Sequence, residues 1–181
     1  MRISALILTT LLFAQSVPAA PTPRPAPEFV VQRFQTAPLM LSSLRGKIVA
    51  LAFMHTTCSH CQDLTRILNV IQKDYAAKNV QVVGVAFEEG VAGNFPMYLK
   101  ALQPNFAAGI SNEPAVKKFL LWDDKRDGIL MIPYMIFIDA GGIIRGDFNG
   151  KDGFFGQGDK NIRAELDKLA KGGAKPAAKK K

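Results

Sequence analysis

One stretch, Lys47 to Phe87, limits the fold more than any other part of the chain. Ile48 to Met54 carries no polar residue, and a continuous apolar run of that length suits a strand buried on both faces. Residues 58 to 78 follow with Cys61, Leu64, Ile67, Leu68, Ile71 and Tyr75 at helical spacing, which lines one face of a helix. A second run, Val80 to Phe87, reads as another buried strand, with Asn79 marking the turn into it. Strand, helix and strand of these lengths predict two parallel strands joined by a right-handed crossover. The helix then packs on the sheet that the strands form.

Beyond this unit the pattern changes. Residues 91 to 103 read as a helix in spite of Pro96, residues 106 to 110 as a short strand, and Pro114 suits the first turn of a helix through Val116, Phe119, Leu120 and Trp122. Tyr134 to Ile138 reads as a strand, Asp139-Ala140-Gly141-Gly142 as a tight turn, and Ile143 to Phe148 as the returning strand of a hairpin. A glycine-rich loop, 150 to 158, leads to a last amphipathic helix with Ile162, Leu166 and Leu169 on one face. The fold class is therefore α/β: a central mixed sheet flanked by helices, with a helical insertion after the first βαβ unit. A chain of 181 residues, 48% hydrophobic, suits one such domain plus its ends.

The ends differ in composition from this domain. Arg2, the apolar run Ala5 to Ala14 and Val17-Pro18-Ala19 read as a signal peptide, residues 1–19, cut after Ala19. The apolar run falls short of the roughly 20 residues that span a bilayer. Residues 20–27, with Pro21, Pro23, Pro25 and Pro27, read as an extended linker that does not pack. The folded domain is expected over 28–170, and 171–181 as a disordered Lys-rich tail able to touch an anionic membrane surface. All but one unit of the net charge of +8 comes from these ends. Seven of the 23 bases lie there, which leaves 16 bases against 15 acids within 28–170. That balance argues against nucleic acid as a partner. Export directs the protein to the periplasm or outside the cell.

Two cysteines, Cys58 and Cys61, are the only ones in the chain. A disulfide that spans two residues closes almost no loop and removes little unfolded-state entropy, so this pair matters for its reactivity. Cys58 follows a buried strand and opens a helix, where backbone N–H groups lack intrahelical acceptors and the dipole favours negative charge. Both effects favour the thiolate, which makes Cys58 the attacking thiol. Cys61, one turn later, is shielded and resolves the mixed disulfide. His60 lies between them and favours the Cys58 thiolate as imidazolium or N–H donor, which makes the disulfide a stronger oxidant. Ile132-Pro133 supplies the second half of the site. Proline belongs at the first position of a strand, and a cis bond there turns the Ile132 backbone outward to pair with an extended substrate. The disulfide is itself the redox group, so the chemistry needs no cofactor and no metal.

The signal peptide, Ala26-Pro27-Glu28-Phe29, Leu41-Ser42-Ser43-Leu44-Arg45-Gly46-Lys47, the buried strand, Cys-x-x-Cys, and Ile-Pro before a hairpin with Asp-x-Gly-Gly occur in an order that resembles exported thioredoxin-like proteins of the TlpA/ResA group. The resemblance spans residues 26 to 170. It implies the thioredoxin fold, thiol-disulfide exchange with protein substrates, and a membrane electron donor or acceptor. It makes Cys58 the nucleophile, Cys61 the resolving thiol, Pro133 a cis-proline facing them, and Val91 to Leu121 the insertion that sets this group apart from plain thioredoxin. Several positions depart from the pattern. Met54 and Thr57 stand where relatives carry tryptophan, Leu64 where they carry an acid, and Arg66 where they carry a helix-kinking proline. Ala52 occupies the place of thioredoxin's buried acid. These changes remove the usual proton acceptor for the resolving thiol. Glu88 and Glu89 read as solvated loop acids, with that acceptor role as the alternative.

Two other chemistries compete. His55, Cys58, His60 and Cys61 are four ligand types in seven residues, which suits a copper or zinc metallochaperone. Metallochaperones of this fold, however, add a histidine far downstream, and the chain has no third histidine. A peroxiredoxin-like peroxidase would carry Thr or Ser three residues before its reactive cysteine, where this chain has His55 before Cys58. A non-catalytic binding module is the remaining class. The redox direction is open on these residues: His60 points to an oxidant, the resemblance to a reductant, and the reading adopted is reductase or general oxidoreductase.

Overall fold

The computed structural model describes residues 21–172. The expected signal peptide and all but the first two residues of the Lys-rich tail lie outside them. The first βαβ unit forms as its periodicity requires. Strand β4 runs Ile48–Met54, helix α1 Ser59–Tyr75 and strand β5 Val80–Ala86. Asn79 turns the chain between helix and strand with a left-handed φ of 61°. Strands β4 and β5 pair in parallel from Ile48↔Val80 to Met54↔Ala86.

Every residue of β4 is buried, and its alternation explains why. Ile48, Ala50, Ala52 and Met54 face one core, which includes Leu64, Leu68 and Ile71 of α1. Val49, Leu51 and Phe53 face a second core, which includes Phe29, Phe119 and Leu120. A strand that divides two cores has no solvent face, hence the unbroken apolar run.

Helix α2, Val91–Leu102, contains Pro96 near its middle and buries Val91, Phe95 and Tyr98. Strand β6, Ala107–Ile110, pairs in parallel with β5, and helix α3, Glu113–Leu120, begins where the Asn112 side chain accepts from the Ala115 N–H. A short helix α4, Asp124–Asp127, is capped by Asp123, whose side chain accepts from Lys125 and Arg126 N–H groups. The hairpin is strand β7, Tyr134–Ile138, and strand β8, Ile143–Phe148, and the last helix α5 runs Gly158–Lys171. Part of the glycine-rich loop before α5, Gly153–Gln157, winds into a 3-10 turn.

The N-terminal segment departs from expectation. Residues 20–27 were expected to form an extended linker without packing, yet Arg24–Pro25 forms strand β1 and pairs antiparallel with Ile143–Ile144 of β8. Arg24 is buried and donates from Nη1 to Asp147 Oδ2 at 3.0 Å. Proline suits an edge strand because its missing N–H costs no ladder bond there, so proline content alone does not exclude pairing. The six-stranded sheet thus runs β1-β8-β7-β4-β5-β6, with β4, β5 and β6 parallel and β7 antiparallel to β4. Two further short strands, β2 (Val30–Val31) and β3 (Leu39–Met40), form a separate ribbon beside β6. This is the mixed sheet with flanking helices and an inserted helical segment that the sequence implies, in the thioredoxin arrangement.

Candidate active site at the start of helix α1

Cys58 is the N-cap residue of α1, in extended conformation with φ −78° and ψ 119°. Its sulfur accepts from the Cys61 N–H at 3.4 Å, in the place an Asp or Ser oxygen takes at other helix starts. The chain enters this cap from β4 through His55, Thr56 and Thr57, and Cys58 N–H donates to His55 O. Cys58 is half-buried and Cys61 fully buried. Both are thiols. Burial drives the Cys61 thiol far above the ordinary range, and its contact with Cys58 and the charge of Glu88 push it further in the same direction. Such a thiol does not ionise by itself near neutral pH.

His60, Ile132 and Pro133 line one groove of about 390 Å³, together with Asp63, Asp152 and Phe155. The Ile132-Pro133 bond is cis. Gly150 packs against this segment so closely that a β-carbon there would lie 2.8 Å from Ile132 O, which explains a glycine at that position. Gly150 N–H donates to Met131 O. The groove therefore joins the expected substrate-binding pair to the motif through His60. His60 itself is exposed, and among the described residues it makes no hydrogen bond to either cysteine. The four ligand types do not converge: no group of three or more His, Cys, Asp or Glu side chains among the described residues is arranged to hold a metal ion. The ring of His55 lies edge-on against Phe87, with centroids 4.7 Å apart.

Two polar clusters lie beside the motif; of their hydroxyl and carboxyl side chains the sequence singled out Glu88, as a solvated loop acid or a proton acceptor. In one, the Thr65 hydroxyl donates to Cys61 O at 2.9 Å and lies 2.8 Å from the Tyr98 hydroxyl, which in turn reaches Met54 Sδ at 3.3 Å. Thr65 is wholly buried. Its place four residues after Cys61, beside the apolar stripe, was the available signal. In the other, Glu88 Oε1 accepts from the Thr56 N–H at 2.9 Å and from the Thr56 hydroxyl. Thr56 O accepts from Gln62 Nε2 at 2.8 Å. Glu88 is therefore not the solvated loop acid expected for it. The ends of β4 and β5 lie side by side, and Phe87 N–H donates to Met54 O; this register turns Glu88 back onto the motif loop.

Comparison with known proteins agrees with this architecture. A thiol:disulfide interchange protein of the thioredoxin family from Chlorobium tepidum TLS superposes with a TM-score of 0.65 at 26% identity, over 82% of this chain and 99% of the other. The thioredoxin domain of a thiol-disulfide oxidoreductase from Bacteroides vulgatus gives 0.65 at 17% identity, over 83% and 98%. A thiol:disulfide interchange protein from Bacteroides sp. gives 0.66 at 19%, over 90% and 97%. The latter two show the fold alone. No curated protein sequence matches the chain. The AhpC/TSA family is matched over residues 23–146, a span that includes β1, the Cys58–Cys61 motif and the Ile132-Pro133 bond. With fold, motif and family span in agreement, the chain belongs to the AhpC/TSA family and is thioredoxin-like in the manner of the TlpA/ResA group.

Proposed function

We propose that this chain, a thioredoxin-like thiol-disulfide oxidoreductase, exchanges disulfides with exported protein clients, with Cys58 attacking and Cys61 resolving. The observation that carries the reading is the Cys58 cap. A half-buried sulfur sits at the start of a 17-residue helix and accepts a backbone N–H, while a fully buried second thiol lies one turn on. Helix N–H groups and the dipole favour negative charge on Cys58, so it is the better nucleophile. Attack by its thiolate on a client disulfide forms a Cys58–client bond and expels one client thiolate. Cys61 then attacks Cys58, forms the Cys58–Cys61 disulfide and releases the second client thiol, so two electrons pass to the client. The groove beside Pro133 supports an extended client segment as the substrate, held through the Ile132 backbone.

Export to the periplasm or cell exterior is supported by the pattern of Arg2 and Ala5 to Ala14, and a membrane electron donor would recharge the pair. The Lys-rich tail supplies charge for an anionic membrane surface. Among the described residues no helix is long and apolar enough to cross a membrane.

Mass spectrometry after alkylation, with and without prior reduction, tests the reading. Two thiols that cycle reversibly and reduce a protein disulfide such as insulin's are expected. Purification with stoichiometric metal on both cysteines, and no disulfide reduction, would overturn it in favour of metal transfer; rapid peroxide reduction without disulfide exchange would favour a peroxidase. The potential against glutathione sets the direction: near about −270 mV for a reductase, near about −120 mV for an oxidant.

A further inference from the structure

We propose that the end of the domain opposite the Cys58 motif docks on an anionic lipid bilayer, with Phe34 seated in the interface and Arg33 and Lys73 against a headgroup phosphate. This extends to the folded domain the contact with an anionic surface read above for the Lys-rich tail, and it holds or fails apart from the exchange chemistry.

The topology sorts charge along the strands. Strands β4, β5 and β6 run in parallel toward the motif, and β8 runs the same way because β7 is antiparallel to both its neighbours. The segments that leave these strands at the motif end carry Glu88, Glu89, Glu113 and Asp152, with Lys151 as the base among them. At the other end, Arg45 and Lys47 precede β4, Lys73 and Lys78 lie at the close of α1 and in the turn after it, and Arg33 enters the turn between β2 and β3. Backbone bonds from Gly46 N–H to Ala140 O and from Ile48 N–H to Asn79 O hold these segments together. Helix α5 runs beside α1 in the same direction, from Gly158 near Ile67 to Asp167, which accepts from the Tyr75 hydroxyl. Lys171 therefore lies at this end too, and the sequence beyond Gly172 adds Lys175, Lys179, Lys180 and Lys181.

Asp74, Asp139, Glu165 and Asp167 each pair with a base of their own, Arg163, Arg145, Lys168 and Lys78 respectively. Among the described residues Arg33, Arg45, Lys47, Lys73 and Lys171 have no acid within ion-pair distance. The nearly neutral domain is thus dipolar, acidic around the motif and basic at the far end. An anionic leaflet attracts the basic end and repels the other, so the docked motif faces away from the membrane. Two features favour a bilayer over other polyanions. Phe34 stands 47% exposed in the turn after Arg33, and an aromatic ring next to bases gains by entering the interface. Arg33 and Lys73, with Gln72, Gln81 and Asn105, also line a hollow of about 550 Å³. That hollow has room for a headgroup phosphate, which a guanidinium binds through two parallel N–H groups.

The test uses the exported protein, its N-terminus checked by mass spectrometry, with vesicles of phosphatidylcholine alone or containing about 30% phosphatidylglycerol. Co-sedimentation is expected with the anionic vesicles at about 0.05 M salt, with release at about 0.5 M and no binding to phosphatidylcholine alone. Arg33→Gln combined with Lys73→Gln is expected to lower the partition coefficient about 25-fold, a roughly fivefold share for each base. Phe34→Ser is expected to lower it about tenfold. These variants should reduce insulin at the wild-type rate, and Cys58 of the docked protein should alkylate as fast as in solution. Variants at Arg33, Lys73 and Phe34 that bind like the wild type, with binding lost when Lys175, Lys179, Lys180 and Lys181 all become Ala, would overturn the domain's role and leave the tail's. A wild type that ignores anionic vesicles would overturn both, while insulin reduction by the same preparation would leave exchange intact. Slowed alkylation of Cys58 on vesicles would overturn the orientation. Equal retention on heparin, with Phe34→Ser unchanged on vesicles, would overturn the bilayer as partner in favour of a soluble polyanion.

Discussion

Thr65 shows how a single buried hydroxyl shapes the site. It bonds Cys61 O, lies against Tyr98 OH and approaches Met54 Sδ at 3.7 Å, all without access to water. Burial also holds the Tyr98 hydroxyl above the usual tyrosine range, so it stays a neutral donor. Replacing Thr65 by Val is expected to cost about 1–3 kcal/mol, because the Tyr98 hydroxyl then loses a partner it cannot replace from solvent. Urea denaturation measures this directly. Paired replacement, Thr65→Val with Tyr98→Phe, should cost less than the sum of the single changes, since the two hydroxyls satisfy each other. The place of Cys58 and Cys61 at the start of a helix, and of Ile132-Pro133 directly before a strand, was legible in the sequence from residue type and spacing. Thr65 and Tyr98 were not, and the bond of Glu88 to Thr56 was not, because each acquires its partner from a different element: α1 meets α2, and β5 meets the loop after β4.

At the scale of elements, the hairpin turn has its own electrostatic lock. Asp139 Oδ1 accepts from the Ile143 N–H at 3.0 Å, and its Oδ2 accepts from Arg145 Nε at 2.8 Å. Burial alone would raise this carboxyl, yet those bonds hold it below the usual aspartate range. A depressed folded-state value means that the folded protein prefers the ionised form. Its stabilisation is therefore complete above the unfolded aspartate value of about 3.9 and is lost as pH falls through the lower folded-state value. The Asp139→Asn variant should be less stable than the wild type at pH 7, with the gap closing below about pH 4 in urea titrations at each pH. The strands and helices around it were readable wherever one period dominates, as in β4 and α1. The pairing of Arg24–Pro25 was not, because its partner lies at Ile143–Ile144, far along the chain, and two residues carry no period of their own.

Over the whole molecule, that N-terminal strand fastens the start of the domain to β8, two strands from β4 in the sheet. Arg24, Asp147 and Tyr134 form one largely buried chain around the half-buried Asp147: Arg24 donates to Asp147, and so does the Tyr134 hydroxyl. Tyr134 directly follows Pro133 and pairs with Phe53 of β4. Removing one member of a buried ion pair leaves the other charge uncompensated, so Arg24→Met is expected to lower stability by about 3–5 kcal/mol. Arg24→Met combined with Asp147→Asn should recover part of that loss, as thermal or urea melts would register. The basic excess at the ends plays no part in this arrangement, and the site depends on the nearly neutral domain between them. The central claim is that Cys58 attacks and Cys61 resolves, and trapping tests it most directly. Cys61→Ser incubated with insulin should accumulate a mixed disulfide at Cys58, found by peptide mass mapping, while Cys58→Ser forms none. An adduct on Cys61 in the Cys58→Ser protein, or disulfide reduction that survives loss of Cys58, would contradict the account.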